Sequence, residues 1–488
     1  MLFIGVDLGS TNIKAALYDG VFRCLHMESA AVTYVRENGF VEFDADAYVT
    51  ALTGILHRLI KASAADARSI CSITFTGQAE SLVVLDSNGH PLMNAISWMD
   101  ERSQEECALM EKHFSPAVCY AHTGQPAVLP TWPATKILWL KRHRPELYAV
   151  AAQYVLLKDF VIYRLTGNLL ADCSIATFTF YFDIYAKQYW AEMVKFIGIQ
   201  ETQLPPLAEP CTCAGTLKKD VAAAAGLSEG TTVNIGTLDH FAGMVGTGNV
   251  HAGCMNLSTG TVMGLSTIAA LPVGQDTGIP MHYGFLANSY VMLPVAESGG
   301  ISLEWFKQTC MPTVSYEELN ASLAGRAPSE ILFLPYIVGT NAPEFDRDAC
   351  GVFFGLRSKH DTFDLALAVM EGVAHLLKKN CDHIRASGTP IERIIATGGG
   401  AKSPIWCQIQ ADITGIPVYI PLEKEAACLG AAMIGAVAAN AYASYDTAAA
   451  GVVRMEQCFL PSPTALLHRK HRQFLALYDA MVEVQRIP

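Results

Sequence analysis

One pattern occurs twice in this chain and constrains it more than any other feature. "VDLGSTNIKAAL", from Val6, and "MNLSTGTVMGLS", from Met255, can be laid over each other turn for turn. Each sets an apolar strand, a turn of small hydroxyl-bearing and glycine residues, and a second apolar strand. Repetition on this scale suggests two halves of similar topology, each beginning with a hairpin. The plain alternative is chance, because Ser/Thr/Gly hairpins are common. Length agrees with two or three domains, since 488 residues exceed what one hydrophobic core usually holds.

The rest of the chain alternates strands with helices. "SICSITFTG" alternates apolar and polar residues and ends in Gly77, and "SLVVLDSNGHPL" reads as a strand with a turn at Asn88 and Gly89. Helical stretches lie around Tyr48–Leu59 and Thr135–Lys141. Interleaving of this kind predicts an α/β layer architecture. "QLPPLAEPCTCAGTL" breaks the periodicity and is expected to be a surface connection. Leu365, Val369, Val373 and Leu376 fall at helical spacing in a segment that Gly388 ends. Strand "RIIAT" leads into "GGGAKSP" and another helix. The last segment puts Phe474, Leu477, Met481 and Val484 on one stripe, which predicts a final helix packed back on the core.

Composition removes several classes of function. Hydrophobic residues make up 51% and charged residues 16%, as in a packed globular protein. The net charge of −12 argues against a nucleic-acid partner, which usually calls for a basic face. "MLFIGV" runs straight into Asp7 without a basic start, so it is no signal peptide, and no apolar run reaches the ~18 residues that span a bilayer. A soluble, cytoplasmic protein with no membrane partner is expected. The fourteen cysteines are scattered singly apart from Cys211 and Cys213. No CxxC pair repeats, so they read as reduced, mostly buried thiols and not as a zinc site.

The turns suggest what is bound. A hairpin turn of Gly, Ser, Thr and Asn can point several N–H and hydroxyl groups at one spot, which makes an anion nest. Lys14 adds a positive charge. Asp7 would repel a phosphate by itself, but favours one if Mg²⁺ sits between them. Two such turns facing each other would grip a triphosphate from both sides. "TGGGAKSP" has neither the GxGxxG nor the P-loop spacing. Its glycines would let adenine or ribose lie close to backbone, or they simply make a tight strand-to-helix turn.

With those residues in view, a family resemblance emerges. "GVDLGSTNIKAAL", "NLSTGTV" and "ATGGGA" resemble the two phosphate loops and the adenosine loop of the sugar kinase, actin and Hsp70 superfamily. More narrowly, the chain resembles the FGGY family of carbohydrate kinases over roughly residues 1–445. "GQAESLVVLDSNGHPLMNAISWMDERS" is similar to its substrate-loop region, "PATKILWL" and "GVFFGLRSKHDTFDLALAVMEGVA" to its two signatures, and "GTLDHFAGMVGTG" to the segment with its catalytic aspartate. The resemblance implies two ribonuclease H-like (actin-like ATPase) α/β domains with mixed sheets flanked by helices around a central cleft. It implies a sugar-binding domain over 1–248, with the first phosphate loop and the base, and an ATP-binding domain over 249–445. A helical extension over 446–488 would follow. Such an enzyme moves the γ-phosphate of ATP to a hydroxyl of a small sugar or polyol.

The resemblance also implies roles. Asp239 would be the catalytic base, lining up the acceptor hydroxyl, although an Asp before a helix is more often an N-cap. Asp7 would serve Mg²⁺, or act as a turn aspartate. Ser10, Thr11, Asn12 and Lys14, with Thr259, Gly260 and Thr261, would contact phosphates, and Gly399, Gly400 and Ala401 would border the adenosine. Gln78, Ala79, Glu80, Trp98, Asp239 and His240 would meet the sugar. Asp100 and Arg102 either support the sugar site or simply pair with each other. The chain departs from two archetypes: xylulokinases usually show Gln-Met-His-Gly where Gln78-Ala79-Glu80-Ser81 stand, and Asn where His240 stands. Glycerol kinases usually show Gln-Arg-Glu-Thr in the substrate loop, and Thr131 replaces a tyrosine. A ketopentose such as xylulose is the expected substrate, with a glycerol- or erythritol-type polyol as the alternative. A rival class is a switch ATPase of the actin/Hsp70 type with no sugar substrate. Homodimers are common among similar enzymes.

Overall fold

The structure is a computed structural model and describes residues 1–269, 277–462 and 464–487. The chain forms two compact units. The first holds Met1–Val250, Met281–Val291 and Glu425–Val453, and the second holds His251–Pro280, Met292–Lys424 and Arg454–Pro488. Where the sequence reads as three continuous segments, two pieces of the later chain return to the first unit and the C-terminal segment returns to the second.

The first unit is built on a mixed six-stranded sheet. Its strands are β1 (Leu2–Leu8), β2 (Asn12–Tyr18), β3 (Cys24–Ala31), β4 (Ile70–Gly77), β5 (Cys213–Thr216) and β6 (Thr232–Asn234). The order is β5-β6-β4-β1-β2-β3. β1, β2 and β3 run antiparallel in turn, β1 and β6 are parallel to β4, and β5 is antiparallel to β6. Alternation along β1 sends Ile4, Val6 and Leu8 into a core with Leu52, Ile55 and Leu59 of the helix Ala45–Ser63. The opposite face carries Gly5 and Asp7. Helix Ala426–Ala438 lies against it so closely that a Cβ at Gly5 would stand 1.9 Å from the carbonyl oxygen of Cys428.

That helix also crosses the short helix Asp239–Gly246 through paired glycines. A Cβ at Gly430 would fall 1.8 Å from the Ala242 oxygen, and one at Gly246 would fall 2.0 Å from the Ala426 oxygen. Only hydrogen fits there, so backbone packs on backbone.

The second unit repeats the layout. Its main sheet includes β7 (Gly253–Thr259), β8 (Met263–Ala269), β9 (Val295–Ala296), β10 (Ile391–Thr397), β11 (Val418–Pro421) and β12 (Met455–Phe459). Again an antiparallel hairpin, β7-β8, is followed by parallel neighbours β10 and β11 and an antiparallel edge strand, β12. The doubled hairpin in the sequence is therefore a doubled topology.

Two local expectations change. "CTCAGTL" contains the edge strand β5, because its ladder partner β6 supplies pairing that composition alone does not announce. On the final helix, Ala465–Gln485, the buried stripe is His471, Phe474, Tyr478 and Met481, while Val484 is exposed. All fourteen cysteines are free thiols, and they split evenly between buried and at least partly accessible positions. Among the described residues no helix is long and apolar enough to cross a membrane.

Candidate active site

The β1-β2 hairpin brings charged groups together by register. Asp7 and Lys14 are cross-strand partners, so their side chains leave the same face. Lys14 Nζ reaches Glu425 Oε2 at 2.6 Å. Partial burial opposes charge on the ammonium, but Glu425 outweighs it and raises the Lys14 pKa. Lys14 favours the charged form of Asp7 as well, but burial outweighs it. Its Oδ1 is enclosed without any hydrogen bond, and burial, with Asp239 adding to it, pushes the carboxyl up to about 7.

The turn between the strands is tied to the loop that follows Gly77 and to Trp98. Tyr48 Oη and Gln78 Nε2 both donate to the Gly9 carbonyl, at 3.1 and 3.3 Å. Trp98 Nε1 donates to Ser10 Oγ at 2.7 Å, and Trp98 N donates to Ser81 Oγ, which in turn donates to Gln78 Oε1. Trp98 is 38% exposed, so the indole is held in place by its N–H and not by burial in a core. Ala79 and Glu80 form the tight turn in between, with Ser81 N on the Ala79 carbonyl and Glu80 at φ 65°. Burial drives the Glu80 carboxyl upward against the opposing pull of Lys136 and a Thr131 hydrogen bond.

Asp239 opens its helix, and Oδ1 accepts from His240 N at 2.6 Å. A carboxylate at a helix N-terminus is stabilised by the exposed amides there, and the residue remains partly accessible. Asp100 and Arg102 pair with each other through two hydrogen bonds of 2.7 and 2.8 Å, and Phe40 covers the guanidinium at 4.0 Å. They are a structural pair.

The sequence did not single out three residues of this unit. Lys136 is fully buried in helix Pro133–His143 and donates to the carbonyls of Ser97 and Glu80, at 2.8 and 3.2 Å. A lone lysine within the apolar run "PATKILWL" was the available signal. His282 stacks on Phe178 at 4.2 Å, with Nδ1 3.4 Å from Gln125 Nε2. Burial, with His240 adding to it, lowers the His282 pKa to about 3, so the ring is neutral. His282 and Gln125 carry no motif, and only the return of Met281–Val291 to this unit joins them.

In the second unit the β7-β8 turn and the glycine loop are neighbours. A Cβ at Gly400 would stand 2.7 Å from Thr259 Cβ. Thr259 Oγ1 is enclosed without a partner, and Gly260 O accepts from Gly300 N at 2.7 Å. Thr259, Gly260, Thr261, Gly399 and Gly400 border a cavity of about 450 Å³. The glycine-loop side continues through Lys402 and Ser403, with Ala401 in the turn between. The far wall includes Leu303, Tyr316 and Asn320, which no sequence signal marked. A mostly apolar slot ending in hydroxyls and backbone amides suits a flat base with a polyanionic tail.

The N-terminal domain of the FGGY family of carbohydrate kinases matches residues 2–246, and its C-terminal domain matches residues 255–439. The chain belongs to this family. It is an ATP-dependent sugar kinase, and the reading as a switch ATPase without a sugar falls away. The chain is 30% identical to a xylulose kinase of Bacillus subtilis, over 97% of its own length and 95% of the relative's. It is 26% identical to a gluconokinase of the same species, over 91% and 88%. The crystal structure of a xylulose kinase from Brucella ovis superposes with a TM-score of 0.93 at 28% identity, covering 99% of this chain and all of that one. FGGY kinases thus share the mixed α/β two-domain fold described above.

Proposed function

We propose that this FGGY kinase transfers the γ-phosphate of ATP to a hydroxyl of a ketopentose such as xylulose, with Asp239 as the base. The observation that carries the reading is the grouping in the first unit. Asp239 is accessible at a helix N-terminus within electrostatic reach of Asp7, and Trp98 of the substrate loop is hydrogen-bonded to Ser10 of the phosphate turn. Asp239 takes the proton of the acceptor hydroxyl and orients its oxygen. Phosphoryl transfer needs positioning and charge stabilisation more than an unusual base. Gln78, Ala79, Glu80, Trp98 and His240 line the sugar, with Trp98 offering a flat face to its carbon side. Ser10, Thr11, Asn12 and Lys14 receive phosphate oxygens, as do Thr259, Gly260 and Thr261. Gly399, Gly400 and Ala401 border the adenosine.

Mg²⁺ fits the residues present. The enclosed, unpartnered Oδ1 of Asp7 is a carboxylate oxygen that lacks a cation, and Mg²⁺ takes one or two carboxylates together with phosphate oxygens. Asp7 would hold the ion directly or through water, and the ion would neutralise charge on the phosphates.

The xylulose kinase relatives favour a ketopentose, and the gluconokinase relative marks the main competitor. A coupled ADP assay over ketoses, aldoses, polyols and gluconate tests the choice. D-Xylulose or a closely related ketopentose should give the highest kcat/KM, and Asp239→Asn should abolish turnover. Preference for gluconate or glycerol would overturn the substrate, and an active Asp239→Asn would overturn the base.

A further inference from the structure

The segment that leads into Asp239 is clamped from below by a buried ionic network. Lys158, Asp172, Ser174 and Thr237 are each at most 1% exposed. Lys158 Nζ donates to Asp172 Oδ2 at 2.6 Å and also to the Ile235 carbonyl. Asp172 accepts from Ser174 N at 2.8 Å and from Ser174 Oγ at 2.8 and 2.9 Å. Ser174 Oγ lies 2.7 Å from Thr237 Oγ1. A serine has one hydroxyl proton, and an ionised carboxylate only accepts. Ser174 therefore donates to Asp172, and Thr237 donates to Ser174.

This clip holds the three residues Ile235–Thr237 at both ends. Gly236 between them has φ 60°, and a Cβ there would stand 1.8 Å from the Phe75 carbonyl oxygen. Gly236 N donates to Asn234 Oδ1 at 2.8 Å, Cys211 N donates to the Gly236 carbonyl at 2.7 Å, and Thr76 Oγ1 donates to the Thr237 carbonyl at 2.9 Å. Two residues beyond Thr237 the helix begins with Asp239.

A buried lysine–carboxylate pair is expensive to desolvate, and apolar residues of the same volume are often as stable. Its presence under this segment calls for a reason besides stability. We infer that Lys158, Asp172 and Ser174 are positioning residues that fix the backbone Ile235–Thr237 and thereby aim Asp239 at the acceptor hydroxyl. None of the three touches the reacting atoms. The inference rests on Asp239 being the base.

Steady-state kinetics with D-xylulose and ATP, paired with urea denaturation, test it. Ser174→Ala and Thr237→Val should each lower kcat roughly tenfold with both KM values unchanged, since a shift of about 1 Å in a reacting group costs up to about a hundredfold. Ser174→Thr should restore kcat. Lys158→Met combined with Asp172→Leu should recover most of the stability lost in Lys158→Met alone, yet stay about a hundredfold down in kcat. The second unit supplies a control in its own buried pair, Lys470 with Glu371. Lys470→Met should lose stability and keep kcat. Wild-type kcat in Ser174→Ala and Thr237→Val, or an equal kcat loss in Lys470→Met, overturns the positioning role. If Asp239→Asn is inactive while those variants keep full kcat, only this inference fails. If Asp239→Asn is active, the base assignment fails first.

Discussion

The crossing of helices Asp239–Gly246 and Ala426–Ala438 gives a prediction whose size can be worked out. At Gly430 an added Cβ would stand 1.8 Å from the Ala242 oxygen and 2.7 Å from its carbonyl carbon. Ordinary van der Waals contact begins at 3.4 Å, so the helices must part by roughly 1.6 Å or bend. Overpacking of this kind costs about 1–3 kcal/mol. One of the two helices carries Asp239, the proposed base, at its first residue, and a displacement near 1 Å at a reacting group costs up to about a hundredfold in rate. Gly430→Ala should therefore lose both stability and kcat. The same helix contains its own control, because a Cβ at Gly243 would have no heavy atom within 4 Å. Gly243→Ala should gain about 1 kcal/mol from helix propensity. Urea denaturation and the coupled ADP assay read the two quantities on each variant. The reasoning is refuted if Gly430→Ala matches wild type in stability and kcat, or if Gly243→Ala is as damaging as Gly430→Ala.

Three further outcomes are expected. His282 is buried neutral with a pKa near 3, whereas an unfolded-state histidine takes its proton near 6.5. Its contribution is fully present above pH 6.5 and is lost as pH falls toward 3. Between pH 7 and pH 5, wild type should lose about 2 kcal/mol more than His282→Gln by urea titration, and parallel losses would refute the point. Gly400→Ala would drive a methyl to 2.7 Å from Thr259 Cβ, so KM for ATP should rise about tenfold while KM for the sugar holds. A rise confined to the sugar KM would count against the nucleotide assignment. Trp98→Phe keeps a flat ring but loses the 2.7 Å bond to Ser10, and should lower kcat/KM for the sugar about three- to tenfold. An unchanged value would count against the proposed sugar-binding role of Trp98.

Local chemistry in the sequence was enough for the paired hairpins, the Asn88-Gly89 turn, the helix from Thr362 and the glycine loop at Gly398–Gly400, because each is specified by neighbours in the chain. The same holds for the placing of Asp7, Ser10, Lys14 and Asp239 at strand and helix ends. What only the tertiary structure decided is partnership across long separations. Lys14 meets Glu425, 411 positions away, through a register that helix Ala426–Ala438 imposes by lying on Gly5. Beyond the apolar run around Lys136 nothing in the sequence marks Lys136 or Lys158, and they become buried donors to backbone carbonyls only in the folded chain. His282 joins Gln125 because Met281–Val291 folds back to the first unit. Composition and periodicity report what a residue prefers, whereas burial and charge state depend on which distant backbone arrives beside it.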